Sequence, residues 1–207
     1  TNTALTTAQR TEACTRVIDA GNLAPATLAS AYYHRGYYRW QAGDYANAEK
    51  DLDEAVKRVP NNSYYLLYRG AARQDQRKVQ PALDDIEASL RLRDEPFAHA
   101  RRAHALLRLN RLQDALEAAN KVTDGKLLLP YEVRAEIFFE RKSWDEVVRE
   151  ATTGLGISPS NQVLLRLRGM AYFEKGDSQL ALADFDDVIR RNPGNWLAYN
   201  ERGRVHQ

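Results

Sequence analysis

The 207-residue sequence is poor in the residues that build disulfides, metal clusters and membrane spans. Its single cysteine, Cys14, excludes an intramolecular disulfide and a multi-cysteine metal site. The longest apolar runs, such as residues 127–131, are far too short to cross a bilayer, so we expect no transmembrane segment in this chain. Thirty basic residues against 28 acidic ones leave a net charge of +2, without the basic excess of a nucleic-acid module. We therefore expect no nucleic-acid partner.

Motifs for catalysis are also missing. The sequence has no glycine-rich phosphate loop and no nucleophile-elbow pattern. His99 and His104 are five residues apart, which puts them on different sides of a helix and argues against paired metal ligation. We therefore expect no enzyme, no catalytic residue, no metal and no cofactor. Because 43% of the residues are apolar, the chain can still build a packed core.

What the sequence does contain is a repeat. A small residue follows a run of aromatic, aliphatic and arginine residues at gaps of 34, 33, 32, 34 and 34 residues. A second small residue lies twelve positions later, and its gaps of 34, 33, 32 and 34 shorten at the same places. This shared spacing predicts units of about 34 residues. The first column is Gly36, Gly70, Ala103, Ala135, Gly169 and Gly203, and the second is Ala48, Ala82, Ala115, Val147 and Ala181.

Each unit has the pattern of two helices joined by a short turn. Gly43 and Gly176 suit a helix C-terminus, and Asp44, Ser143 and Asp177 suit the N-cap of the following helix. Apolar residues in the second helices recur at three- and four-residue steps, and no stretch alternates with period two. The pattern predicts an almost entirely helical chain.

Glycine in the middle of a helix costs about 1 kcal/mol relative to alanine, yet four units place one there. We expect the second helix to cross the first at close range at these glycines. The carboxylates of the second helices, including Asp51, Asp53, Asp184 and Asp186, are expected to form a solvated outer face.

These residues resemble the tetratricopeptide repeat, a 34-residue helix-turn-helix unit. The best match is the unit of residues 162–195, in which Leu165, Gly169, Tyr172, Ala181 and Pro193 stand at signature positions. The unit of residues 29–62 matches nearly as well, whereas the middle units are degenerate. The resemblance implies an all-α fold, a right-handed superhelical solenoid of antiparallel helix pairs whose first helices line a concave groove.

The resemblance also implies a division of the chain. Residues 1–28 are expected to form an N-terminal capping helix and its connection. Five repeats follow, at 29–62, 63–95, 96–127, 128–161 and 162–195, and residues 196–207 begin a sixth. The unfinished last repeat suggests a fragment of a longer protein or a face that another molecule covers. Residues 13–18 and 31–36 are similar to bacterial members of the family, which leaves periplasm and cytoplasm open and favours export.

In this family, certain positions of the first helices face the groove and contact partners. Here they are tyrosine-rich in the first two units and alternate in charge in the later ones. Inter-helix packing of the tyrosines and mutual neutralisation of the charges are the alternatives. The predicted partner-binding residues are Tyr33, His34, Tyr37, Tyr64, Leu67, Tyr68, Arg101, His104, Glu132, Glu136, Arg166 and Met170.

The predicted function is a non-catalytic scaffold that binds a protein or peptide partner in this groove. Some family members clamp chaperone C-termini with two lysines, two asparagines and an arginine, and of these only the arginine, at Arg101, is present. The alternative hypothesis is a structural module that self-associates through its exposed ends, with the C-terminal helix as the contact.

Overall fold

A computed structural model describes residues 5–206, which form twelve α-helices and no β-strand. The all-α class predicted from the helical periodicity is confirmed. The helices are α1 (Thr7–Asp19), α2 (Pro25–Gln41), α3 (Tyr45–Arg58), α4 (Ser63–Asp75), α5 (Val79–Leu92), α6 (Pro96–Arg108), α7 (Leu112–Asn120), α8 (Leu129–Glu140), α9 (Trp144–Ile157), α10 (Gln162–Glu174), α11 (Ser178–Arg191) and α12 (Trp196–Val205).

The chain divides after Leu109 into two compact units. This boundary falls inside the repeat assigned to residues 96–127, between its two helices. In the first unit, α2 pairs with α3 and α4 with α5, while α3 also packs on α4 and α5 on α6. The first helices of the repeats, α2, α4 and α6, touch one another along one face of this unit. We call this the first-helix face.

The second unit follows the same plan with a shortened start. Helix α7 has only nine residues, and the segment up to Leu128 replaces its last turn. Helix α8 packs on α9, α9 on α10, α10 on α11 and α11 on α12, and the first helices α8, α10 and α12 touch in sequence. None of the helices in residues 5–206 has the length and apolar character needed to cross a bilayer.

Three of the four mid-helix glycines, Gly36, Gly70 and Gly169, mark helix crossings as predicted, whereas no described atom lies within 4 Å of an added Cβ on Gly203. A Cβ added to Gly70 would lie 3.0 Å from the carbonyl oxygen of Ala82 and 2.8 Å from Cγ1 of Ile86. The same atom on Gly36 would lie 3.1 Å from the carbonyl oxygen of Ala48. Such distances leave no room for a methyl group, so the small side chain decides how closely the paired helices approach.

The turns within the repeats require a left-handed backbone. Gly43 and Gly176 have φ angles of +81° and +85°, which confirms their assignment to helix C-termini. At the equivalent turns of the degenerate repeats, Arg77, Asn110 and Lys142 adopt φ angles of +64°, +58° and +56°. The geometry of the turn is thus preserved where glycine is absent, at the cost that a side chain adds in this region.

All three predicted N-cap residues occupy the N-cap positions, but only one of them caps its helix with its side chain. Asp44 accepts a hydrogen bond from the backbone of Asn47, as a capping side chain does. Ser143 and Asp177 occupy the N-cap positions of α9 and α11, but their side chains accept no capping hydrogen bond.

The expectation that the second-helix carboxylates are solvated was wrong for several of them. Asp51, Asp85 and Asp184 are buried, and the exposed fraction of Asp184 is only 6%. Each binds an arginine of its own first helix, and for Asp184 this is Arg168 at 2.7 and 2.9 Å. Paired carboxylates can lie in the interior because the guanidinium satisfies their lone pairs and charge. Asp186 is exposed, as expected.

Candidate partner-binding surface

Five aromatic side chains gather on the first-helix face of the first unit. Tyr33, Tyr37 and Trp40 follow one another at four- and three-residue steps on α2, so they point to the same side of that helix. Tyr68 of α4 and Phe97 of α6 continue the group across the next two repeats. All five are half-buried. We call this group the aromatic surface.

Tyr68 is the centre of the aromatic surface. Its ring centroid is 4.9 Å from that of Tyr37, with the planes at 86°, and 5.8 Å from that of Tyr33. The rings of Trp40 and Phe97 are 5.5 and 5.9 Å away. Edge-to-face and tilted contacts at these distances are the favoured arrangements for aromatic pairs. The tyrosines therefore pack between helices with part of each ring and leave the rest of the ring accessible. Inter-helix packing and exposure on the first-helix face are thus compatible at these positions.

A charged network fixes one end of the aromatic surface. The indole Nε1 of Trp40 donates a hydrogen bond of 2.7 Å to Oδ2 of Asp75. Arg101 donates from Nη1 to Oδ1 of Asp75 at 2.8 Å and to Oε1 of Gln74 at 3.0 Å. The Arg101 guanidinium also lies 5.3 Å from the ring centroids of Trp40 and Phe97, a cation–π geometry. Neutralisation by a neighbouring helix therefore accounts for Arg101.

The phenol groups in the middle of the surface stay protonated. Burial raises the pKa of Tyr68 to about 12, and the nearby hydroxyl groups of Tyr37 and other residues add to the effect. Burial likewise raises the pKa of Tyr33, with contributions from Tyr68 and Tyr37. Neutral phenols can both donate and accept hydrogen bonds, so the surface combines apolar rings with uncharged polar tips.

His104 lies beside this network in a polar cavity of about 630 Å³. The cavity is lined by Gln74, Asp75, Arg77, Val79, His104 and Arg108. Burial, with Arg108 and Arg101 nearby, lowers the pKa of His104 to about 4. The Nε of Arg108 donates to Nε2 of His104 at 3.2 Å, which places the ring proton on Nδ1. His104 is thus a neutral group at physiological pH.

Besides Arg101 and His104, three further predicted site residues of the first unit lie outside the aromatic surface. The prediction that Leu67 contacts a partner is wrong. Leu67 packs on Ile86 in the core, and its exposed fraction of 1% offers no surface to a partner. Tyr64 is exposed at the start of α4, where its hydroxyl accepts a hydrogen bond from Arg93. His34 is exposed, and its ring is tilted by 58° against that of Tyr33, with the two centroids 5.0 Å apart. It also lines a separate apolar cavity between α1 and α2.

The predicted site residues of the second unit form no comparable cluster among the described residues. Oε1 of Glu132 accepts a hydrogen bond of 2.6 Å from Nδ2 of Asn161, at the start of α10. On α10 itself, Arg166 donates to the sulfur of Met170 at 3.2 Å. Glu136 is half-buried on α8. The Glu132–Asn161 bond therefore links α8 to the N-cap of α10, whereas the Arg166–Met170 contact lies within one helix.

Sequence reasoning missed Trp40, which belongs to the aromatic surface, and Asp75, which accepts the hydrogen bond from its indole. Trp40 follows Tyr33 by seven positions and Tyr37 by three, so the helical stripe that selected the tyrosines also contained it. Asp75 carries no such signal. Its role depends on the approach of α2 and α6 to α4, which only the folded chain shows. Over residues 5–206, no group of three His, Cys, Asp or Glu side chains is arranged to hold a metal ion.

Stacked helix pairs with close crossings at small residues define a helical-repeat protein. A family model described as the tetratricopeptide repeat matches residues 33–73 and 166–206. The two matched segments are thus tetratricopeptide repeats, and solved tetratricopeptide repeat structures share the fold of the chain. No curated protein sequence matches it.

Several solved structures share the fold at low sequence identity. YrrB, described as a TPR protein with an unusual peptide-binding site, is 16% identical, with a TM-score of 0.64 over 93% of this chain and 99% of YrrB. A tetratricopeptide repeat protein from Parabacteroides merdae is 18% identical, with a TM-score of 0.72 over 96% of this chain and 78% of that one. A chain of the APC/C hetero-tetramer Cut9–Hcn1 is 13% identical, with a TM-score of 0.81 over 97% of this chain and 40% of its own.

Proposed function

We propose that the chain is a non-catalytic interaction scaffold that binds a segment of a partner protein, extended or helical, on the aromatic surface. The observation that carries the proposal is the convergence of Tyr33, Tyr37, Trp40, Tyr68 and Phe97 from three successive repeats. Aromatic rings supply large contact area and lose little side-chain entropy on binding, which is why they dominate the energetics of protein interfaces.

The surroundings support binding because the rings are already ordered before a partner arrives. Asp75 holds Trp40 through its indole and Arg101 through its guanidinium, and the Arg101 guanidinium in turn lies over the ring of Phe97. A surface ordered in advance loses less entropy when it binds. The protonated phenols of Tyr33 and Tyr68 can pair with backbone groups of a partner without the cost of desolvating a charge.

The fold relationship agrees with this proposal. YrrB shares the helical-repeat fold and is described as having a peptide-binding site, although 16% identity carries no residue assignment from one chain to the other. The proposal therefore rests on the residues of this chain.

The test begins with a selection of peptides from a display library on the purified chain. Binding of a selected peptide is then measured by fluorescence anisotropy to the Tyr37→Ala and Tyr68→Ala variants. We expect each variant to bind roughly 30-fold more weakly, the loss typical of a central aromatic anchor. Circular dichroism at 222 nm establishes that the helices remain.

Tyr45→Ala is the matched control, because Tyr45 is a half-buried tyrosine on the second helix α3, away from the aromatic surface. It should bind the peptide like the unaltered chain. Equal affinity of the Tyr37→Ala and Tyr68→Ala variants would place the binding site elsewhere, and equal loss in all three would indicate a general effect on folding.

A further inference from the structure

A network of side chains closes the groove between α3 and α4. Glu49 of α3 accepts a hydrogen bond of 2.9 Å from Nε of Arg73 on α4. Its other carboxylate oxygen accepts bonds from Nε2 of Gln76 at 2.8 Å and from Nζ of Lys78 at 2.5 Å, both in the turn that follows α4. Gln76 also donates to the backbone oxygen of Tyr45 at 3.1 Å. One carboxylate thus pairs with two cations and occupies the space between the helices.

The groove between α1 and α2 is the equivalent place one repeat earlier. Nη1 of Arg69 donates to Asp53 of α3 at 3.0 Å. One repeat earlier, Nη1 of Arg35 donates to Thr15 of α1 at 3.2 Å. This contact aligns α1 with α3, and the 34-residue repeat aligns α2 with α4. The equivalent pairs of residues along the two grooves are Thr11 and Glu49, Arg39 and Arg73, Ala42 and Gln76, and Asp44 and Lys78.

The earlier groove lacks the side chains that close its equivalent. Thr11 and Ala42 are shorter than glutamate and glutamine, and a groove of about 490 Å³ stays open between α1, α2 and the turn after α2. We call it the α1–α2 groove. Its volume is typical of sites for small molecules. The side chains that line it include Thr7, Thr11, Thr15, Arg39, Ala42 and Asp44.

Arg39 has unused hydrogen-bonding capacity at the α1–α2 groove. The equivalent Arg73 donates from Nε, Nη1 and Nη2 to three different carboxylates. Arg39 makes only the bond from Nη1 to Asp51, at 2.7 Å, and no residue in the range 5–206 accepts a hydrogen bond from its Nε or Nη2. The side chain of Arg39 is 26% exposed, so a ligand can reach it. A carboxylate at the position of Glu49 would complete its contacts.

The charge at the other side of the α1–α2 groove is reversed. Asp44 stands where Lys78 binds Glu49 in the next repeat. The backbone N–H of Asp44 donates to the carbonyl oxygen of Arg39 at 2.9 Å, and that of Lys78 donates to Arg73 at the same distance. The two turns therefore hold these side chains in the same arrangement. Because aspartate is shorter than lysine, a cation at the position of the Lys78 ammonium group would lie within reach of the Asp44 carboxylate.

We infer that the α1–α2 groove binds a small zwitterion, an α-amino acid. Its carboxylate takes the position of the Glu49 carboxylate and accepts hydrogen bonds from Nε and Nη2 of Arg39. Its ammonium group takes the position of the Lys78 ammonium group and binds Asp44. The two charges must be close together, since Nζ of Lys78 is only 2.5 Å from an oxygen of Glu49. An α-amino acid meets this condition because one carbon atom joins its two charged groups.

The α1–α2 groove is separate from the aromatic surface, and the inference does not depend on the function proposed for that surface. Nor does it depend on what precedes the described residues. The hydrogen bonds of Glu49 to described residues all go to α4 and the turn after it, and none goes to α2. A helix before α1 would stand to α1 as α2 stands to α3, and it would leave the groove open to a ligand.

The experiment titrates L-alanine, L-leucine and L-glutamine into the isotopically labelled chain. NMR follows the Nε–H signal of Arg39 and the backbone amides of α1 and α2. We expect shifts centred on Thr11, Arg39 and Asp44, with a Kd on the order of 10⁻⁴ to 10⁻³ M for the amino acid that binds most tightly. Its N-acetyl derivative lacks the ammonium group and its amide lacks the carboxylate, so each should bind about tenfold more weakly.

Thr11→Glu is the blocking variant, because it restores the carboxylate that Glu49 supplies in the next repeat. We expect it to abolish the ligand shifts. Thr153→Glu is the matched control: Thr153 lies on α9, and its hydroxyl donates to the backbone oxygen four residues earlier at 2.9 Å, as that of Thr11 does. This variant should bind the amino acid like the unaltered chain.

Asp44→Asn separates the two charges of the ligand. Asparagine is as good an N-cap as aspartate, so α3 keeps its start. We expect the variant to bind the amino acid about tenfold more weakly and to bind the N-acetyl derivative like the unaltered chain, since that derivative has no ammonium group for Asp44 to pair with.

Four results would overturn the inference. The first two are the absence of shifts in the α1–α2 groove at about 10 mM of each amino acid and shifts that persist in Thr11→Glu. The third is equal loss of binding in Thr11→Glu and Thr153→Glu, which would place the effect outside the groove. The fourth is equal affinity for the amino acid and its N-acetyl derivative, which would assign the groove to simple carboxylates.

Discussion

Arg168 and Asp184 are joined by two parallel hydrogen bonds, from Nε to Oδ2 at 2.9 Å and from Nη2 to Oδ1 at 2.7 Å. They connect the first and second helices of one repeat across a contact in which Asp184 is buried. The equivalent Asp85 has the same bidentate contact with Arg69 and a further bond of 2.8 Å from Arg73. The two sites therefore differ in how many arginines support one carboxylate.

The first prediction follows from that difference. Arg168→Met leaves the buried Asp184 without its arginine and should lower the free energy of unfolding by about 3 kcal/mol. Arg69→Met should cost less, about 1–2 kcal/mol, because Arg73 still binds Asp85. Urea unfolding followed by circular dichroism measures both values. The double variant Arg168→Met/Asp184→Leu should recover much of the loss, and equal effects of the two single variants would contradict the reasoning.

The second prediction concerns glycines that look alike in the sequence. Gly70→Ala should destabilise the chain by about 1–3 kcal/mol, because the new Cβ would lie 3.0 Å from the backbone oxygen of Ala82. Gly203→Ala should instead stabilise it by about 0.5–1 kcal/mol, since alanine favours the helix and no described atom lies nearby. Thermal and urea unfolding report the signs. A stabilising effect at Gly70 would show that the helices there can separate without cost.

The third prediction exchanges residues between equivalent turns. Lys142 has a φ of +56° where the last complete repeat uses Gly176 at +85°. Lys142→Gly should stabilise the chain by about 1 kcal/mol, because glycine adopts this region without steric cost. Gly176→Lys should destabilise it by a similar amount. The urea unfolding midpoints of the two variants, compared with that of the unaltered chain, test this prediction. It is contradicted if both substitutions change stability in the same direction.

The fourth prediction is a pH dependence at His104. Its pKa falls from 6.5 to about 4 on folding, mainly through burial, with Arg108 and Arg101 as further causes. The unfolded chain therefore binds a proton between these values that the folded chain does not, so stability falls as the pH is lowered through this window. From pH 7.5 to pH 5, His104 should cost roughly 2 kcal/mol.

The comparison for this prediction is His104→Gln, which cannot take up the proton. The difference in unfolding free energy between the two proteins should narrow or reverse as the pH falls from 7.5 to 5, and it should change little above pH 7.5. Asp75 is the carboxylate that opposes the shift, so Asp75→Asn should lower the pKa of His104 further. A constant difference between the histidine and glutamine proteins across this window would show that His104 titrates normally.

Prediction from sequence worked where a feature depends on one helix at a time. The glycine turns were found through their spacing, and the repeat positions predicted that Tyr33, Tyr37 and Tyr68 share one face, where their contact with a partner stays a prediction. It failed for Leu67, because core-facing and groove-facing positions of a first helix are adjacent in the sequence. The exact rotation of α4 about its axis decides which of the two a residue occupies. It also failed to separate buried from solvated carboxylates, although each buried one lies sixteen residues after an arginine that precedes a small residue.

The repeat register, the helical class and the sites of closest helix approach are properties of the sequence by itself. They follow from local periodicity and from the size of single side chains, and neither requires knowledge of distant contacts. The ion pairs across each repeat, the ring cluster around Tyr68 and the open side of Gly203 were decided only by the tertiary structure. Each depends on side chains from two or three helices meeting within a few ångströms, a condition that spacing along the chain does not specify.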